Sequence, residues 1–297
     1  LLLSISEITI FQNENAVSGN VAAELTWRSD VVKFLQILSW LVFLMYAAGF
    51  WAYLSYFRAK SDSLSKRTRA LMLAAVGMQS VYLVLITMEN GHLPVSDTFT
   101  VLASCSWFFV LVYLALEMRL REMSMGVFFL PVIVLLQLIS NLFISFDRPL
   151  APVLSEIFFE VHVALMIAAY SAFTISFITS IMYILLAREM QTKKLGIFFE
   201  RLPSLEFFDK LSNQAVDIGF ALVTVGIVLG VYMGLSVWEH GWVMDPKLLA
   251  VVISWAIYAT HLITRRAIGW QGRRAAIVSV VGFNWLLFSF LIVSTFF

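Results

Sequence analysis

Late in the chain, between two apolar runs, stands the polar stretch Trp238-Glu239-His240-Gly241-Trp242-Val243-Met244-Asp245-Pro246-Lys247. Two indoles, an imidazole and a carboxylate sit here within a few residues of one another. Flat indole faces beside a neutral imidazole suit a flat, amphiphilic, metal-bearing ligand, with the rings covering its face and a ring nitrogen reaching its metal. Tryptophan at the edge of an apolar run also serves as a plain interfacial anchor, so this loop needs support from elsewhere in the chain.

The four histidines are the other residues with metal chemistry. His92 lies in Gly91-His92-Leu93-Pro94-Val95-Ser96-Asp97, where Gly91 and Pro94 mark a turn. His240 is in the aromatic loop. His162 falls one or two turns inside a long apolar run, and His261 falls inside another. An ionisable side chain within an apolar span is costly and marks a functional site by default. The ordinary alternative is a hydrogen bond that joins helices, for which Thr260 and Thr264 stand close to His261. For His92 and His240 the ordinary alternative is a solvated surface residue. Haem is the ligand that fits the set, because imidazole binds its iron and a dry aromatic shell tunes it.

Membrane spans must position these residues. The chain is 61% hydrophobic and 13% charged, with a mean hydropathy of +0.88; a soluble domain is about 25% charged. Its apolar runs approach the ~20 residues that cross a bilayer as a helix, and the short alternating segments of a membrane barrel are missing. The pattern predicts an all-α polytopic membrane protein with eight transmembrane helices, over about 32–56, 68–88, 98–117, 125–145, 157–187, 215–237, 248–264 and 275–296. Residues 1–31 read as a small, irregular extracytoplasmic extension and 32–297 as the transmembrane domain. The opening Leu1-Leu2-Leu3 lacks the basic flank of a signal peptide.

Basic residues orient the frame. Sixteen of the 20 Lys and Arg fall on alternate connections: Arg58, Lys60, Lys66, Arg67 and Arg69; Arg119 and Arg121; Arg188, Lys193, Lys194, Arg201 and Lys210; Arg265, Arg266, Arg273 and Arg274. That side is expected to be cytoplasmic, which leaves both termini and the loops 89–97, 146–156 and 238–247 outside. The segment 188–214 interleaves charges with Leu195, Phe198, Phe199, Leu202, Phe207 and Phe208, and reads as an amphipathic helix on the inner face.

Other chemistry finds no support. The single Cys105 excludes an internal disulfide and a CxxC site. No Ser-His-Asp arrangement, phosphate loop, HExxH or dinucleotide loop occurs. A net charge of +1 carries no nucleic-acid signal. Asp217 is the notable acid within a span and is expected to reach the interface or pair with Lys210. There is no inverted repeat for a transporter. His162 and His261 stand at different depths, unlike the paired ligands of a b-type electron carrier.

Three stretches together resemble the CcsA/ResC family of system II cytochrome c biogenesis proteins, over about residues 70–290. The family loop W-G-x-x-W-x-W-D-P-K is matched in gapless register by Trp238, Trp242, Asp245, Pro246 and Lys247, with Trp255 following. A family G-x-x-P-x-S-N stretch, with S-W ten residues after its Ser, is matched by Gly91, Pro94, Ser96, Asp97, Ser106 and Trp107. A family histidine followed by Val and later by Tyr is matched by His162, Val163 and Tyr170.

The resemblance implies that b-type haem passes from an inner site to an outer one. There the tryptophan loop would hold it, with His162 as one axial ligand, for addition of apocytochrome c thiols. It also implies a second membrane partner with a large outer domain, a cytoplasmic-membrane location, and a part in a cytochrome c haem lyase. The chain departs from the pattern at Glu239, Met244, Thr100 and Ile263, the last standing where the family's inner histidine is expected. The family's second outer histidine follows the last span, and Ser294-Thr295-Phe296-Phe297 holds none. His92, His240, Met244 or a partner chain would then complete the iron, or the iron would be five-coordinate. A second expectation is a diverged, non-catalytic relative, HemX-like, that regulates haem synthesis or scaffolds a larger complex.

Overall fold

The computed structural model describes residues 5–59, 61–94, 98–143, 156–192, 202–237 and 246–296. They form eight helices: α1 Ile5–Ala59, α2 Asp62–Asn90, α3 Thr98–Leu120, α4 Gly126–Phe143, α5 Ile157–Thr192, α6 Leu205–Val237, α7 Pro246–Ala267 and α8 Arg273–Phe296. Among the described residues there is no strand. The first seven helices contain stretches long and apolar enough to cross a membrane, and α8, with 24 residues, covers the sequence read as an eighth span. The protein is thus an all-α, multi-pass membrane protein.

Helix ends differ from the sequence reading where polar sequence still favours helix. The α1 helix reaches back to Ile5, through a stretch read as irregular; that stretch holds no proline and only Gly19 as a breaker. Within 188–214, residues 188–192 finish α5 and 205–214 open α6, while 193–201 lie outside the described residues. The apolar side chains of this opening turn are spoken for, since Leu202, Phe208 and Leu211 pack into a buried core rather than facing a membrane surface.

The helices pack as two groups. Between α1–α4, Val42, Tyr46, Met72, Phe109, Phe129 and Ile133 make a core that Ile175 and Leu186 of α5 and Phe208 and Leu211 of α6 also enter. Buried polar groups cross it: Gln79 accepts from Tyr46 Oη and donates to Ser106 Oγ and Gln137 Oε1, each at 2.9 Å. Gln137 in turn donates to Asn141 at 2.9 Å, and Ser39 Oγ donates to Asn141 at 2.5 Å. Such bonds join helices where water cannot. Trp107 Nε1 donates to Ser80 Oγ at 2.9 Å, so the matched Ser106-Trp107 pair ties α3 to α2. In α5–α8 the core is Met166, Phe173, Val216, Val223, Tyr258, Leu262 and Phe283.

The α5 helix is the hub, lying along α6 over most of its length and touching α3 and α8. Three glycines on one face of α6 permit this approach. A Cβ at Gly219 would lie 2.6 Å from Phe173, one at Gly226 would lie 2.9 Å from Met166 Sδ, and one at Gly230 would lie 2.8 Å from His162 Cε1. Each step up α6 is matched by an equal step down α5, the register of an antiparallel pair packed through small residues.

At the basic end, Arg265 holds Asp209 with both nitrogens, at 2.9 and 2.5 Å, and Gly272 N–H donates to the same carboxylate at 2.8 Å. Asp217, expected to reach the interface or pair with Lys210, is partly exposed and pairs with Arg266 at 2.7 Å, because α7 brings the guanidinium across from the neighbouring helix.

Candidate functional site

His162 stands on α5, on the flank that meets α6. Its Nδ1 lies 2.7 Å from the carbonyl oxygen of Gly226. A carbonyl only accepts, so Nδ1 carries a proton, and in the neutral ring the lone pair is then on Nε2. The ring is half-buried, and Nε2 makes no hydrogen bond among the described residues. An Nδ1–H bound to a backbone carbonyl, with Nε2 open, is the state in which histidine ligates a metal.

The Gly91–Pro94 turn docks on the same end of α5. Leu93 N–H donates to Glu160 Oε1 at 2.9 Å, and Ser104 Oγ donates to the carbonyl of Pro94 at 2.7 Å. His92 Nδ1 lies 3.0 Å from the carbonyl oxygen of Leu93. Glu160, 4% exposed, and His162 are two residues apart, about 200° around the helix. The turn carrying His92 is therefore held on a different flank of α5 from the one where His162 meets α6. Val95, Ser96 and Asp97 lie outside the described residues.

His261 is 2% exposed while Ile263 is 61% exposed, so α7 turns the histidine into the bundle and points the family's expected position away from it. His261 Nδ1 lies 3.4 Å from Ser279 Oγ, and its buried Nε2 has no hydrogen-bond partner among the described residues. Ser279 joins Ser176 at 3.2 Å, and Ser176 and Ser180 both meet Ser212, at 2.9 and 3.0 Å. This buried hydroxyl seam links α5, α6 and α8 beside the imidazole. Thr260 and Thr264, the hydroxyls nearest in sequence, donate to backbone carbonyls of their own helix, and it is Ser279 of α8 that meets the ring.

The two histidines stand on different levels. Ser176, at the level of His261, is 14 positions along α5 from His162, about 21 Å at 1.5 Å per residue. Aromatic pairs fill the space between. Phe173 stacks on Tyr258 with centroids 3.6 Å apart, and Phe220 on Trp255 at 5.5 Å. Trp255 Nε1 donates to Thr224 Oγ1 at 3.0 Å.

Trp238, His240, Trp242, Met244 and Asp245 lie outside the described residues. The helices that hold this loop, α6 ending at Val237 and α7 beginning at Pro246, are described, and His162 contacts α6 at Gly230, two turns before the loop starts. Among the described residues no three His, Cys, Asp or Glu side chains gather as a metal cluster. Sequence reasoning missed Gly226, Gly230, Glu160 and Ser279. The spacing of the α6 glycines was visible, but their partners on α5 depend on the register of two helices.

Comparison with known proteins gives one family. The model of the cytochrome c assembly protein family matches residues 95–297. The cytochrome c biogenesis protein CcsA of Mesostigma viride is 31% identical over 219 residues, covering 66% of this chain and 72% of that protein. CcsA of Prochlorococcus marinus is 26% identical over 268 residues, covering 80% and 84%. CcsA of a Synechococcus strain is 28% identical over 258 residues, covering 77% and 84%.

Proposed function

The chain belongs to the cytochrome c assembly protein family, and from that premise we propose that it holds haem at its less basic end and presents it for attachment to apocytochrome c. A part in cytochrome c maturation follows from the family itself. The finer reading rests on one observation above the others: the 2.7 Å contact between His162 Nδ1 and the Gly226 carbonyl, which prepares Nε2 as a metal-binding nitrogen.

The residues present fit a b-type haem. His162 offers Nε2 beside Gly230, eight positions in sequence before Trp238, and His92 stands in the turn that Glu160, two residues from His162, holds. His261 offers a second, deeper imidazole whose buried Nε2 has no partner among the described residues, a state that costs free energy unless a ligand uses it. When bound, haem supplies the iron that these nitrogens ligate and the vinyl groups to which thiols add. The chain's own part is to fix the imidazoles, shield the porphyrin faces and keep the iron surroundings dry.

The bias of basic residues supports a presenting end on the outer face of the cytoplasmic membrane. Apocytochrome c and a second membrane protein with a large outer domain are the partners that complete a haem lyase. The test is complementation of a strain lacking its own copy. His162→Ala is expected to abolish covalent haem on c-type cytochromes while the protein still accumulates. Normal cytochrome c with His162→Ala would overturn this reading and favour a regulator or scaffold, as the altered positions Glu239 and Met244 would then suggest.

A further inference from the structure

We infer that Gly226 and Gly230 of α6 form a backbone seat that sets the tautomer of His162 and selects Nε2 as the nitrogen it offers. The haem side of this rests on the proposed function; the tautomer side does not.

In an α-helix the carbonyl of residue 226 points along the axis toward the amide of residue 230, and the Cβ of residue 230 stands on the same face. Any side chain at 230 would cover that carbonyl from the α5 side. Glycine leaves it open. A Cβ there would lie 2.8 Å from His162 Cε1 and 3.0 Å from Nδ1, closer than packed atoms approach. The carbonyl oxygen has two lone pairs, so it can serve both its own helix and the imidazole. Removing the space at 230 therefore removes the bond that holds the proton on Nδ1.

A glycine pair four residues apart also serves simple close packing, and the α6 stripe contains a built-in control. Gly219 faces α5 in the same register, but its neighbour is Phe173 at 2.6 Å, not a histidine. Gly219→Ala and Gly230→Ala insert the same methyl group into the same helix pair. Only the second touches the imidazole.

The experiment uses the full chain in detergent, free of haem, with 15N-labelled histidine. Ring-nitrogen shifts are read at mildly alkaline pH, where imidazoles are neutral. His162 is assigned by the signal lost in His162→Ala. The expected wild-type state is Nδ1–H. Gly230→Ala is expected to shift His162 to a mixture or to Nε2–H, and Gly219→Ala to leave it unchanged. After haem is added, Gly230→Ala is expected to lower haem occupancy at least several-fold relative to Gly219→Ala. An Nε2–H tautomer in wild type overturns the inference, even if Gly230→Ala does not fold. Equal tautomers in the two alanine variants overturn it as well. A wild-type protein with Nδ1–H that takes up no haem leaves the seat standing and removes only the proposed function.

Discussion

Phe173 of α5 and Tyr258 of α7 stack face to face, with ring centroids 3.6 Å apart and planes 4° from parallel. They lie between the level of His162 and the level of His261. Flat rings there fill part of the core between the two imidazoles.

The Tyr258 hydroxyl adds nothing to that stack. It is buried without a hydrogen-bond partner among the described residues, and an unsatisfied buried hydroxyl costs about 1–3 kcal/mol. Tyr258→Phe is therefore expected to leave thermal stability in detergent unchanged or raised. Tyr258→Ala, which empties a ring-sized space, should cost about 3–5 kcal/mol. Thermal unfolding followed by circular dichroism checks both.

Asp209 and Arg265 form a bidentate pair with each side chain 15% exposed, and Asp209 also accepts from Gly272 N–H. This locks the start of α6 to the end of α7 and to the α7–α8 turn. Asp209→Asn is expected to cost about 2 kcal/mol, between the ~1 kcal/mol of an exposed pair and the 3–5 kcal/mol of a broken buried one. A double-mutant cycle with Arg265→Gln measures the coupling, and a value near zero would show that the pair is only a surface contact.

Glu160 pins the turn that carries His92, through the amide of Leu93. Glu160→Gln keeps an acceptor oxygen and should keep the turn in place; Glu160→Ala should free it. Maleimide labelling of a His92→Cys probe, in a Cys105→Ser background, is expected to speed up several-fold with Glu160→Ala and to change little with Glu160→Gln.

Much of this architecture can be read from residue types alone. Apolar run length locates the spans, and Arg and Lys mark one end, because bilayer thickness and charge transfer act on composition. Helix ends are less legible. The Leu202–Leu211 stretch has the pattern of a surface helix, yet the core takes its aromatic face, a tertiary choice that amphipathicity does not encode. The face of His261 follows a similar rule. Family spacing pointed to Ile263, whereas the buried neighbours Tyr258 and Leu262 turn His261 inward. The seat of His162 was not legible, since Gly226 and Gly230 gain meaning only once α5 lies against α6 in a particular register.

His162 is the proposed ligand of haem iron. The direct measurement is the absorption spectrum of the purified protein, oxidised and dithionite-reduced, with pyridine haemochrome quantification, for wild type, His162→Ala and His261→Ala. The account predicts a Soret band in wild type that shrinks with His162→Ala. An unchanged band in His162→Ala, or a colourless wild type purified from cells with ample haem, would contradict it.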